Sequence, residues 1–399
     1  MIEVTRIQYP VGQGCFHAGS VKWKGKPKPG GFRYVYDCGS KNRTALTHSV
    51  NALLRRCREI DALFVSHLHE DHVSGLDRLL GSARVNTVFL PHLRRGATVA
   101  DLVAEAAGGA LSHSLVEASL EPQEWFRQRG VSRIVRVQPT SGEEPAPEEG
   151  EPRYADISWE PDGTRDADRL MKSGEMLAPG SGAGTLDWVL VPHVYVDQKK
   201  RAQLAKFKIK VAKVLDLPDL KDLTVRRLAE ALRDLGQRGK LRSCYKSCFG
   251  GNHNRVSMSV YSGPRSDPGK RPWNPYYAFP FRHPFYWRGA AGWIGTGDAH
   301  LNVGRFREDW ERSFQKFLPN LSTLLLPHHG SSLNFSPELL NCRKYPGLAC
   351  CIASAGDHPS QYPHPGAEVV ESVMLARRMF HHVSERPDTL FCERFRLEP

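Results

Sequence analysis

The chain has 399 residues, 40% of them hydrophobic and 25% charged, and a net charge of +12. That balance excludes a disordered acidic chain and suits one large folded domain or two. No apolar run approaches the ~20 residues needed to cross a bilayer, and MIEVTRIQYP lacks a basic and then greasy leader, so the expectation is a cytoplasmic protein with no membrane partner.

In chain order, FRYVYDCGS predicts a strand ending in a turn, TALTHSVNALLRRCREI an amphipathic helix, and ALFVSH a buried strand. LDRLLGS reads as a helix, NTVFLPH as a strand, and the stretch from Thr98 to about Arg129 as a long helix. From Thr140 to about Gly184 the composition turns to Gly, Pro, Ser and acids around SGEEPAPEEGEP, which predicts an inserted flexible acidic loop over 140–184. LDWVLVPHVYV resumes as a strand.

Next comes a segment, 198–247, with fifteen Lys or Arg against five acids, a local excess of +10. AQLAKFKIKVAKVL and LTVRRLAEALRDLG carry apolar residues at helical spacing on either side of DLPD, so two short basic helices are expected. Concentrated positive charge attracts polyanions, which makes nucleic acid a candidate partner, although a merely solvated helical face would look the same.

Beyond it RVSMSVYSG reads as a strand, PGKRPWNPYYAFPFRHPFYWRG as an aromatic loop, and GWIGTGD as a strand ending on a carboxylate. A helix over VGRFREDWERSFQKFL precedes the strand STLLLPHHG, and ACCIASAG is another strand. PGAEVVESVMLARRMF predicts a helix and TLFCERFRL the last strand. The nine cysteines are odd in number and scattered, as expected of reduced thiols.

Chemistry is concentrated where strands end. VSHLHEDHVSG packs His67, His69, Asp71 and His72 into six positions directly after a buried strand. Imidazole and carboxylate hold divalent metals at ~2.0–2.2 Å, and alternate residues of one turn can serve two ions, His67 and His69 one, Asp71 and His72 another. Strand ends fixed in a sheet let distant residues converge on such a point.

Together with VGQGCF, YDCGS, Asn254 to Ser257, GTGDAHL, PHHGSS and SAGDHPSQYPHP, in that order, this turn resembles the metallo-β-lactamase fold family, in particular the lactamase-like domain of ComEC-type DNA-uptake proteins. The resemblance spans nearly the whole chain and implies a single domain, residues 1–399, with an α/β four-layer αββα sandwich and inserted basic helices. It implies His67 and His69 on a first metal, Asp71 and His72 on a second, Asp298 bridging both, and His328 completing the second. Asp37 would support the metal-binding loop, and His329 would stand behind the ligands or touch substrate. For the third ligand of the first metal, His253, His193 and Asn254 compete, His253 being preferred. His364, in QYPHP where the family pattern has glycine before the histidine, would contact phosphate, donate a proton or simply hold a turn. Of His17, His92, His113, His283, His300 and His358, most read as ordinary histidines, and only His300, two residues past Asp298, is near enough to the site to be watched.

The implied activity is hydrolysis by hydroxide shared between two divalent ions, zinc or manganese, with Asp71 steering the nucleophile. A nuclease or phosphodiesterase acting on DNA or RNA leads, with residues 198–247 gripping the backbone. A small-molecule hydrolase of a phosphodiester, lactone or thioester is the first alternative. The other is a metal-containing module that docks a partner protein in a bacterial defence or DNA-processing complex.

Overall fold

The computed structural model describes residues 1–24, 30–140, 154–155, 169–179, 186–196, 201–250, 256–266, 274–280, 289–357 and 363–397. Its strands are β1 (Ile2–Gln8), β2 (Gly14–Trp23), β3 (Gly30–Ser40), β4 (Glu59–Phe64), β5 (Arg84–Pro91), β6 (Arg133–Gln138), β7 (Tyr154–Ala155), β8 (Arg169–Lys172), β9 (Met176–Leu177), β10 (Val189–Val194), β11 (Met258–Gly263), β12 (Asn274–Phe279), β13 (Gly292–Gly295), β14 (Leu321–Leu325), β15 (Cys350–Ser354), β16 (Met379–Val383) and β17 (Phe391–Leu397). The helices are α1 (Arg43–Arg56), α2 (Glu70–Val73), α3 (Leu76–Leu80), α4 (Arg95–Glu105), α5 (His113–Leu120), α6 (Pro122–Gln128), α7 (Arg201–Val214), α8 (Val225–Arg233), α9 (Leu235–Phe249), α10 (Gly304–Phe314) and α11 (Ala367–Leu375).

Nine strands form one sheet in the order β12-β17-β1-β2-β3-β4-β5-β6-β8, and eight form another in the order β16-β15-β14-β13-β11-β10-β9-β7. From β3 to β8 the first sheet is parallel, and from β16 to β13 so is the second. Parallel neighbours need crossovers, and helices supply most of them. One apolar cluster lies between the sheets, joining Phe64, Phe89 and Val135 to Met258, Trp293 and Ile352. A second places α1 and α3 to α9 on the outer face of the nine-stranded sheet, and a third places α10 and α11 outside the other. Helix, sheet, sheet, helix is the four-layer αββα arrangement expected of the sequence.

Several segments differ from their sequence reading. The long helix over 98–129 is three, α4, α5 and α6, parted at Gly108–Gly109 and at Pro122, because glycine is a weak helix former and proline suits a helix start. The acidic centre of the 140–184 stretch lies outside the described residues, but β7, β8 and β9 fall within it and extend both sheets. Arg169–Lys172 is too short for its alternation to stand out, and pairing with β6 makes it a strand. The basic segment holds three helices, since α9 runs through Gly236 and Gly239. NPYYAF within the aromatic loop is an edge strand on β17. Strands β1 and β2 escaped the sequence reading, and β16 was merged with the preceding helix.

This layering positions the site. The parallel strands β4, β13, β14 and β15 lead at their C-terminal ends into Ser66–His72, Thr296–Asp298, Pro327–Gly330 and Ser354. Residues just beyond such strand ends collect at one rim of the sandwich.

Candidate metal centre

The turn after β4 is shaped by hydrogen bonds before any ligand chemistry begins. His69 leads into α2, whose first backbone bonds run from the His72 and Val73 amides to the His69 carbonyl at 2.9 and 3.0 Å. The turn lies so close to β3 that a Cβ on Gly39 would sit 2.3 Å from the His72 carbonyl carbon, so only glycine fits there. Asp37, fully buried at a positive φ of 55°, accepts from the Ser66 amide at 2.7 Å, the Ser66 hydroxyl at 2.6 Å and His72 Nδ1 at 2.8 Å. It therefore fixes the His72 ring and stands behind it rather than among the donors. Ser66 Oγ lies 3.0 Å from His67 Nδ1, so His67 too is steadied from behind.

The second sheet brings the rest. The Asp298 amide donates to Ser257 Oγ at 2.9 Å, and Gly297 holds the turn at φ +51°. Asp298 Oδ2 lies 3.5 Å from both His67 Nε2 and His328 Nε2, and Oδ1 lies 3.2 Å from His72 Nε2. After β14, His328 and His329 both take left-handed backbone, φ 47° and 59°, so consecutive rings diverge. His328 Nδ1 donates to Asn334 Oδ1 at 2.9 Å, and the Asn334 amide donates to the Asp298 carbonyl at 3.0 Å. His329 Nδ1 donates to the Ser354 carbonyl at 2.8 Å, leaving Nε2 3.3 Å from Asp71 Oδ2.

Three donor groups result among the described residues: His67 with His69 and Asp298, Asp71 with His72 and His329, both wholly buried, and His69 with Asp71 and the partly buried Glu105. In this grouping His329 stands with Asp71 and His72, while His328 Nε2 faces Asp298 Oδ2 at 3.5 Å, so both histidines of the pair lie at the centre. The left-handed pair turns the His328 ring to the opposite oxygen of Asp298. His193 is not part of the centre, because its Nε2 meets Asp309 Oδ2 at 2.8 Å beside Thr140. His253, Asn254, His283 and His358 lie outside the described residues. His364 is half-buried with its ring centroid 5.5 Å from that of His328.

Electrostatics favour cations here. Burial works to raise the Asp298 carboxyl, but His328, His67 and His72 hold it well below the usual carboxylate range. Burial likewise opposes charge on His72, yet Asp298 and Asp37 together drive its pKa well above the usual imidazole value. For Asp71, His329 and His72 overcome the burial penalty and keep the carboxylate ionised. Burial, with His328 and His329 alongside, pushes His364 down to about 4, so near neutral pH it is an uncharged imidazole and not the cationic acid considered above.

The donor set fits divalent ions. Nε2 of His67, His72 and His329 is buried with no hydrogen-bond partner among the described residues. The facing donor pairs stand 3.2–3.5 Å apart. Two donors at ~2.0–2.2 Å from one tetrahedral ion are separated by about 3.3–3.6 Å, a close match. The arrangement can hold divalent ions close together at one buried point. Sequence reading missed Asn334, Ser257 as an anchor of Asp298, and Glu105, whose Oε2 is 3.5 Å from His69 Nδ1. SSLNF after PHHG was the one available signal for Asn334; a lone glutamate ending a helix gave none.

Comparison with known proteins adds a local likeness. A family model described as anti-Pycsar protein Apyc1 matches residues 28–106, the stretch containing Asp37, the His67–His72 turn and Glu105. No curated protein matches the chain. Among solved structures, the metallo-beta-lactamase fold protein YhfI from Bacillus subtilis aligns over 96% of this chain and 97% of its own, at 8% identity and a TM-score of 0.36.

Proposed function

We propose that the chain is a phosphodiesterase working with two divalent ions, and that nucleic acid is its leading substrate class. The observation carrying this reading is the Asp298 carboxylate set between two buried imidazole groups, its oxygens 3.5 and 3.2 Å from His67 and His72. Paired ions held this way supply Lewis acidity on both the attacking and leaving oxygens of an in-line displacement and lower the pKa of water toward ~7.

The chain's own residues set the stage for that chemistry. Asp37 and the Ser354 carbonyl fix the rings of His72 and His329 from behind. Asn334 couples His328 to the loop that carries Asp298. His364, neutral beside them, offers a hydrogen bond rather than a proton. Polymer binding is the task proposed for the exposed cations Lys206, Lys210, Lys213, Lys240 and Lys246 of α7 and α9.

A small phosphodiester is the second reading. A recess beside His67 and His69, lined by Leu68, Leu90, Leu102, Val256 and Arg136, motivates it, since mainly apolar recesses with a few placed polar groups orient small ligands. The local match to an anti-Pycsar protein also belongs to this reading, as an anti-Pycsar role.

One panel tests both. Wild type, His67→Ala, Asp71→Asn and Asp298→Asn are incubated with plasmid, linear single strands, RNA, cyclic mononucleotides and an activated small diester, in Mn²⁺, Mg²⁺ or Zn²⁺. We expect cleavage by wild type that all three substitutions abolish. Cleavage of small diesters alone would move the assignment to the second reading, and no diester cleaved with any metal would refute both.

A further inference from the structure

Sequence reasoning leaves the first ion with two histidines, the shared aspartate and an unsettled further ligand. We infer that the Glu105 carboxylate is that ligand, a protein donor to the first divalent ion beside His67, His69 and Asp298. This rests on the two-ion reading of the centre.

Glu105 Oε2 stands 3.5 Å from His69 Nδ1. That is long for a good hydrogen bond and falls among the 3.2–3.5 Å separations of the other facing donors. Donor atoms of Glu105, His69 and Asp71 all lie within 4.8 Å of one another, and His69 also belongs to the group with His67 and Asp298. The side chains of Glu105 and Asp71 are only 16% and 11% exposed. Two sheltered carboxylates so close repel unless a cation or a proton lies between them. One divalent ion among the three would satisfy both carboxylates and the imidazole at once.

The backbone that presents Glu105 is held firmly. It ends α4, and α4 packs against α7 and α9. Gly96, at the other end of α4, lies so close to the Lys208 side chain that a Cβ would come within 2.3 Å of it. His193, engaged with Asp309, is no rival. A second carboxylate also hardens the first site relative to a set of three histidines, which favours manganese or iron over zinc.

The test reads metal binding without turnover. Full-length protein is stripped with a chelator and titrated with Co²⁺, following visible absorption, and bound metal is counted after dialysis. Wild type should hold two ions. In Glu105→Ala and in the near-isosteric Glu105→Gln, one ion should bind about 10–100-fold more weakly or worse, and its absorption band should change. His253→Ala should keep both ions at wild-type affinity. Matching unfolding curves of the stripped Gln variant and wild type would show that the fold is intact. Two ions bound with unchanged affinity and spectrum in both Glu105 variants would overturn the inference, as would loss of the first ion in His253→Ala. Wild type binding fewer than two ions would defeat the two-ion premise as well. Because no substrate is used, failure of the phosphodiesterase reading leaves this result intact.

Discussion

Asp37 influences the centre entirely through another side chain. Its carboxylate fixes the His72 tautomer at 2.8 Å, and carboxylates behind metal-bound imidazoles raise ligand basicity. Asp37→Asn should weaken the second ion by about 10–100-fold while leaving the first in place; metal content at limiting concentration measures this, and unchanged loading would remove Asp37 from its role. His17 makes a separate point. It is buried between the sheets, stacked on Trp293 at 4.0 Å, and neither ring nitrogen has a hydrogen-bond partner among the described residues. Burial, with Arg6 nearby, holds its pKa well below the usual value, so it is neutral in the folded protein. The unfolded chain binds a proton below ~6.5 and the folded one does not, so stability is full above that pH and falls as pH drops below it. Denaturant curves from about pH 7 to pH 5 should show this decline, and His17→Phe should flatten part of it; an equal decline in both would exclude His17 as its source. Contiguous ligands such as those of H-x-H-x-D-H were legible because one short turn holds them. Glu105 and Asn334 were not, since each is a single polar residue that tertiary packing alone brings to the site.

Among the elements, the basic insertion departs most from its sequence reading. Two short basic helices were expected and three are present, and Phe207, Val211, Leu228, Leu232, Leu241 and Tyr245 are buried in the same cluster as α1, α3 and α4. Helical spacing showed that α7 and α8 had an apolar stripe but not what the stripe would meet. Removing 198–247 would strip most of three helices from the outer layer and expose the residues they cover, so its charges must be tested with the core left in place. Lys206, Lys210 and Lys213 are exposed on α7. Changing all three to Glu should weaken binding to single-stranded nucleic acid and lower the salt slope by about 0.7 for each phosphate that is no longer neutralised. Hydrolysis of a small diester should be unaffected. An unchanged salt slope would separate the insertion from nucleic acid and leave it as a brace for α4. Strand ends were the most readable feature of the elements, because hydrophobic runs stopping at His, Asp or Gly mark them. Two-residue strands such as β9 were unreadable, since pairing with a neighbour defines them.

Across the whole molecule, the two sheets are tied together by polar as well as apolar contacts. Arg6 on β1 meets Glu393 on β17 at 2.7 Å with both side chains about 1% exposed, and it also donates to the Ser262 carbonyl on β11 at 3.3 Å. Glu393 accepts from Thr323 on β14 at 2.9 Å. These contacts join the nine-stranded sheet to the eight-stranded one; the resemblance implied two sheets, and nothing in the sequence showed what bridges them. The donor groups straddle the same seam. His67, His69, Asp71 and His72 follow a strand of one sheet, whereas Asp298 and His329 follow strands of the other. An ion bound at either group would act as a removable crosslink between segments far apart in the chain, and its affinity would be coupled to the integrity of the seam. At a free concentration a thousandfold above its dissociation constant, each such site adds about 4.1 kcal/mol to stability. Chelation should lower the unfolding temperature markedly, restored metal should reverse it, and Asp298→Asn should be nearly insensitive to either. A molecule whose halves are clasped by its own catalytic ions would lose activity and cohesion together, so metal supply would govern its lifetime as well as its turnover.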